Sequence, residues 1–233
     1  MGRKKKILEE IKGTEEPKSL EDKKLRLMEA IKDIKKGSPS SVIGFANDKD
    51  VSKALNYKKI PTGVPQLDEN LDGGIPSGKF TVFTGPSQAG KSSMAYQLIG
   101  HSQQEDPEAI WLIADIENSY DTNWVRNLGV DEERLVFAET DIMEDVLQRV
   151  VDLSRTGCLK GVLIDSIGAL LPRAEVEAPS SKAGIKPKER TLRQENVAVL
   201  NRKIGQFYRM ANKDISRNDT ACVLIAHVYT DIN

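Results

Sequence analysis

Apolar residues recur along this chain in two rhythms. From Ser19 the spacing is helical: Leu20, Leu27, Met28, Ile31 and Ile34 fall on one face before Gly37, and Ser19 with Asp22 three residues on supplies a capping signal. Such a stripe needs a partner. Two partners stay open, a core of its own or a neighbouring subunit. "SVIGF" (41–45) reads as a short strand and 47–59 as a polar connection. From Pro61 the texture changes to compact apolar runs separated by helical spacing. "KFTVFTG", "AIWLIAD", "RLVFAE", "GVLIDS" and "ACVLIA" are predicted strands. "KSSMAYQLIGHSQ" is a helix, Ile142, Val146, Val150 and Leu153 mark the inner face of another, and Leu192, Val199, Leu200, Ile204 and Phe207 mark a long third. Strands of near-continuous hydrophobicity alternating with helices predict an α/β fold, a mostly parallel sheet with helices on both faces.

Composition narrows this only a little. Charged residues make up 30% and hydrophobic ones 39% of 233 residues, enough for one sizeable core plus an appendage. The formal net charge of -1 excludes a global field for polyanions, so any such binding must use local patches. No run of about 18 apolar residues occurs, and the start "MGRKKK" is not a signal peptide. The expected location is cytoplasmic, with no membrane partner. Cys158 and Cys222 lack metal-ligand spacing and are expected to be buried reduced thiols. The expected organisation is a mobile charged tail over 1–18, a helix and short strand over 19–59 and a core over 60–233.

The chemistry concentrates at "GPSQAGKSS", Gly85 to Ser93, which has the spacing G-x-x-x-x-G-K-[ST] between a predicted strand and a predicted helix. In that setting the backbone amides of Gly85, Pro86, Ser87, Gln88, Ala89 and Gly90 (proline excepted) and the positive helix end converge on a phosphate chain. Lys91 can reach the outer phosphates, Ser92 can ligate Mg²⁺, and Ser93 completes the run. Asp165 closes the strand "GVLID", where a carboxylate can hold Mg²⁺ or its water across from Ser92; a simple helix cap is the plainer role for it. Glu117, just past "AIWLIAD", emerges on the same edge and suits a general base, or else is a solvated loop carboxylate.

These residues carry a family resemblance. "IPTGVPQLDENLDGGIPSGKFTVFTGPSQAGKSS" resembles the approach to the ATPase core of the RecA family of DNA recombinases. "DIENSYDTNWVRNLGVDEERL" is similar to that family's segment with the catalytic glutamate, and "LIDSIGALLPRAEVE" to its metal-binding strand and first DNA-binding loop. The ending "VLIAHVYT" is most similar to the phage branch, in which a histidine stands where bacterial members have glutamine. The resemblance covers about Leu25 to the last residue.

It implies a RecA-like P-loop ATPase core using ATP and Mg²⁺. Glu117 and Lys91 are then catalytic, and Trp124 stacks on adenine with Asp121 at the base edge. Trp124 could equally be a core tryptophan at helical spacing. His227 becomes the γ-phosphate sensor, with a backbone-capped histidine as the plainer role; His101 is expected at the surface. Arg173, Lys182, Lys186, Lys188, Arg190 and Arg193 lie in a Pro/Ser/Gly/Ala-rich stretch that matches the first DNA loop, suited to phosphate contacts but without aromatic residues for base stacking.

The function implied is an ATP-dependent recombinase that forms filaments on single-stranded DNA and promotes homologous pairing. A phage mediator, single-strand-binding proteins and a host-cell cytoplasm would accompany it. An ATP-binding accessory module without strand exchange is the alternative, and a hexameric helicase-type motor is disfavoured by the landmarks from Ile60 to Gly78. Two departures stand out. Ser87 replaces an acidic residue common in bacterial members, and the sequence stops at Asn233, where the second DNA loop is expected to begin. The core is accordingly expected to be incomplete, with an exposed sheet edge or apolar face.

Overall fold

A computed structural model describes residues 19–38, 42–139, 142–173 and 195–228; the proposed tail and most of the basic loop lie outside the described residues. The chain divides into two compact units, Met1–Asn56 and Tyr57–Asn233.

In the first unit, α1 (Leu20–Gly37) starts on the Ser19 and Asp22 capping box. Among the described residues no residue of α1 is buried, and Leu20, Leu27, Met28 and Ile34 of its stripe are exposed. The strand expected at 41–45 does not form over 42–45. Asp48 wraps this segment into a turn, its carboxylate accepting from the Phe45 N–H at 3.0 Å while its own N–H donates to the Phe45 carbonyl at 2.9 Å. A short helix, α2 (Lys49–Leu55), follows within the expected polar connection.

The second unit opens with β1 (Lys59–Ile60) and β2 (Ile75–Pro76), an antiparallel pair flanking α3 (Pro65–Asn70). Then come β3 (Phe80–Gly85), α4 (Lys91–Glu105), β4 (Trp111–Asp115), α5 (Thr122–Asn127) and β5 (Leu135–Ala138). The remainder is α6 (Met143–Arg155), β6 (Gly161–Asp165), α7 (Glu195–Arg217) and β7 (Ala221–His227). The five long strands form one parallel sheet in the order β3-β7-β6-β4-β5.

Each face has its own core. Leu112, Val162, Ile164 and Leu224 pack with Val146 and Val150 of α6 and Phe207, Ala211 and Ile215 of α7. Trp111, Ile113, Leu163, Val223 and Ile225 point the other way, against Tyr96, Leu98 and Ile99 of α4. Every residue of β4 and β6 is buried, which is why those runs read as continuous hydrophobicity rather than alternation. Gly161 is required where it stands, because a Cβ there would come within 2.2 Å of the Trp111 ring.

Among the described residues β3 and β5 are the sheet edges, and apolar exposure gathers there at Val82, Val136 and Phe137. Cys222 is buried in β7, whereas Cys158 is exposed, contrary to expectation, because it lies in the turn after α6 rather than in a strand.

Candidate functional site

Parallel strands deliver their carboxyl ends to one edge of the sheet, and the loop from Gly85 to Gly90 sits there between β3 and α4, exposed from Pro86 onward. Its curl needs left-handed backbone at Gln88 (φ 62°) and at Gly90 (φ 83°). Open space surrounds the missing Cβ of Gly90, so the demand for glycine is conformational rather than steric. Helix α4 begins with neither a side-chain cap nor an acidic residue in its first turn. The leading amides have no carbonyl one turn back to bond, and with the helix dipole they make an anion cradle.

Lys91 is 9% exposed, and its ammonium donates to the Pro86 carbonyl at 2.7 Å and to Nδ1 of His227 at 3.3 Å. His227 arrives from β7, which pairs Gly85 with His227 in register and is fastened there by the Val228 N–H donating to the Gly85 carbonyl at 3.1 Å. Its other nitrogen, Nε2, lies 2.8 Å from Oε1 of Glu117. An ammonium at Nδ1 and a carboxylate at Nε2 assign the Nε2–H tautomer. Glu117 also accepts a hydrogen bond from the Ser166 hydroxyl. Lys91, His227, Glu117 and Ser166, widely spaced in sequence, thus form one connected chain.

Glu117 owes its position to Asp115. The Asp115 carboxylate accepts from the Ser119 N–H at 3.2 Å and the Tyr120 N–H at 2.8 Å, closing the turn that follows β4. Within that turn Asn118 takes φ 51°, a conformation asparagine tolerates. The Ile116 N–H reaches across to the Asp165 carbonyl at 2.6 Å, joining this turn to β6.

Asp165 is 1% exposed, and neither of its carboxylate oxygens has a hydrogen-bond partner among the described residues. Burial pushes its carboxyl above the usual carboxylate range. The Ser92 hydroxyl works against that rise without closing a hydrogen bond of normal geometry, while the Glu117 and Asp115 carboxylates reinforce it. A buried carboxylate left bare beside two others is a place for a cation. Among the described residues no three His, Cys, Asp or Glu side chains are grouped to hold a metal alone. Ser92 and Asp165 therefore fit a hard cation that brings the rest of its oxygen shell with it, as Mg²⁺ does with phosphate and water.

Trp124 is not a core residue: it is 50% exposed on α5. Asp121 caps that helix, accepting from the Trp124 N–H at 3.0 Å, so its carboxylate already has a structural task. Of the basic residues assigned to DNA, only Arg173 is described. Its guanidinium pairs with Asp145 and its N–H donates to Glu144 at 2.8 Å, both on α6. Lys182, Lys186, Lys188, Arg190 and Arg193 lie outside the described residues. Sequence reasoning missed Asp115 and Ser166; the available signals were an acid two residues before Glu117 and a hydroxyl directly after Asp165.

The model of the RecA N-terminal domain matches residues 25–233. The chain belongs to the RecA N-terminal domain family. Among its RecA relatives, "Protein RecA" of Ruminococcus albus is 29% identical over 209 residues, 89% of this chain and 48% of that protein. "Protein RecA" of Nautilia profundicola is 32% identical over 85% of this chain and 52% of its own length. That of Thermus aquaticus is 29% identical over 89% and 56% respectively. The chain spans about half the length of the RecA proteins it matches, and the RecA-matched span contains the whole cradle and the Lys91–His227–Glu117 chain.

Proposed function

We propose that the chain binds ATP with Mg²⁺ at the loop from Gly85 to Ser93 and hydrolyses it as the nucleotide-driven core of a recombinase that assembles as a filament on single-stranded DNA. The observation that carries this reading is the meeting of Lys91, His227 and Glu117 at the open amino end of α4, with gaps of 3.3 and 2.8 Å. The bound nucleotide and its cation would supply a phosphoryl group and the charge that neutralises it. The amides of the loop hold and orient the phosphates, and Lys91 exchanges the Pro86 carbonyl and His227 for phosphate oxygen. Ser92 and Asp165 hold the cation. Glu117 accepts a proton from the attacking water, its orientation fixed by Ser166 on one side.

His227 is the sensor. It touches both the phosphate-binding lysine and the general base, so withdrawing Lys91 toward a phosphate changes the contacts of the imidazole and lets it report the γ-phosphate. Its neighbour Val228 leads directly into the segment that follows β7. Trp124, standing exposed on α5, is suited to stack on adenine. Within the family we assign the chain to the phage type on its "VLIAHVYT" ending, which would put it in the cytoplasm of a host cell beside a mediator and single-strand-binding proteins.

The test is the ATP hydrolysis rate with and without single-stranded DNA, with Glu117→Gln alongside. Stimulation by DNA, and a loss of about 10² to 10⁴ in rate in the variant, is the expected result. Slow hydrolysis indifferent to DNA would replace this reading with that of an accessory nucleotide-binding module.

A further inference from the structure

Tyr96 lies one turn into α4, 2% exposed, and its hydroxyl closes no hydrogen bond of normal geometry among the described residues, although the Ser119 side chain is near enough to oppose the rise in its pKa. A buried hydroxyl without a partner is costly and rare. Its surroundings are specific. Tyr96 belongs to the cluster of Trp111, Ile113 and Leu163, on the face of the sheet covered by α4. Counting by twos along β4 and β6 places Asp115 and Asp165 on that same face, and the two are paired in register. The Tyr96 ring meets Tyr120 edge-on at 6.0 Å, and the Tyr120 N–H donates to Asp115. Burial, then the Asp115 and Asp165 carboxylates, push the Tyr96 phenol well above its ordinary value, so it stays a proton donor. A buried donor without a well-formed acceptor thus lies on the same face of the sheet as Asp165, a buried acceptor without a well-formed donor.

We infer that the Tyr96 hydroxyl is a positioning group for the cation: it donates to a water that also contacts Asp165, and so orients the hydration shell of Mg²⁺ held by Ser92 and Asp165. Water suits the gap because it can accept from the phenol and donate to the carboxylate at once. The inference rests on the proposed nucleotide site and adds to it a residue that the phosphate-loop pattern does not contain.

The test is Tyr96→Phe, which keeps ring and volume and removes only the oxygen. ATP binding is measured by calorimetry across a series of Mg²⁺ concentrations, with the thermal midpoint of the nucleotide-free protein measured in parallel. The expected result is that the Mg²⁺ concentration needed for half of its effect on ATP affinity rises about tenfold, while ATP affinity without Mg²⁺ is unchanged. An unchanged Mg²⁺ dependence, with a higher thermal midpoint from losing an unsatisfied hydroxyl, would overturn the inference and leave the nucleotide site standing. A wild-type chain that binds no ATP at any Mg²⁺ concentration would overturn both.

Discussion

Helix α1 opens on a closed hydrogen-bond circuit, Ser19 accepting from the Asp22 N–H at 3.0 Å and Asp22 accepting from the Ser19 N–H at 3.2 Å, with Glu21 and Asp22 complementing the dipole. Helix α4 opens on a left-handed glycine with no side-chain cap and no acid. The two also differ along their lengths. In α1 no residue is buried, whereas α4 buries Lys91, Ala95, Tyr96, Leu98, Ile99, Gly100, Ser102 and Gln103. One helix is stabilised locally and, among the described residues, leaves its side unburied; the other is stabilised by packing and leaves its end uncapped. The contrast teaches that a vacant helix terminus is tolerated where tertiary packing already holds the helix, and that the vacancy is then usable for binding.

The sharpest break of this contrast is Lys91→Ala, which removes the cation that, among the described residues, is buried at the α4 end. ATP affinity is expected to fall about 10- to 100-fold, the worth of a charge-assisted hydrogen bond, as read by calorimetry. Next is Ser93→Asp, which gives α4 the first-turn acid that α1 has. Repulsion of phosphate should weaken ATP binding about tenfold, while the nucleotide-free protein melts no earlier than wild type.

Asp165→Asn acts on stability. The folded carboxyl is raised above its unfolded value, so its contribution to stability is intact below the unfolded range and is lost as pH rises through the raised value. The amide should therefore raise the thermal midpoint of the nucleotide-free chain at neutral pH, with the gain shrinking as pH falls and vanishing below the unfolded carboxylate range. The Mg²⁺ dependence of ATP binding should flatten in the same variant. Smallest is Ser19→Ala, which opens the α1 circuit at a cost of about 1 kcal/mol, visible as lost helicity by circular dichroism, with ATP affinity unaltered.

How far the sequence revealed this molecule follows from the same physics. β4, β6 and β7 were legible because strands buried on both faces leave a continuous apolar run, and the edge strands β3 and β5 were legible from compact apolar runs that the fold leaves largely unburied. β1 and β2, two residues each, and α3 and α5, six residues each, are too short to show a period. "SVIGF" has strand composition, but Asp48 captures its backbone and no edge is paired to 42–45. The phosphate loop was legible because its glycines and lysine are demanded at fixed spacing. Asp115 and Ser166 were not, because their importance comes from the parallel register that sets β4 beside β6 and brings the Glu117 turn against the end of β6. Likewise, the contact of His227 with Glu117 joins residues 110 positions apart.

The most direct measurement of the central claim, that the uncapped end of α4 is a nucleotide site, is calorimetric titration of ATP with Mg²⁺ into the wild-type chain. Saturable binding of one ATP per chain, weakened when Mg²⁺ is withdrawn, is the predicted result. A titration without saturable heat, or an affinity indifferent to both Mg²⁺ and the loss of Lys91, would contradict it.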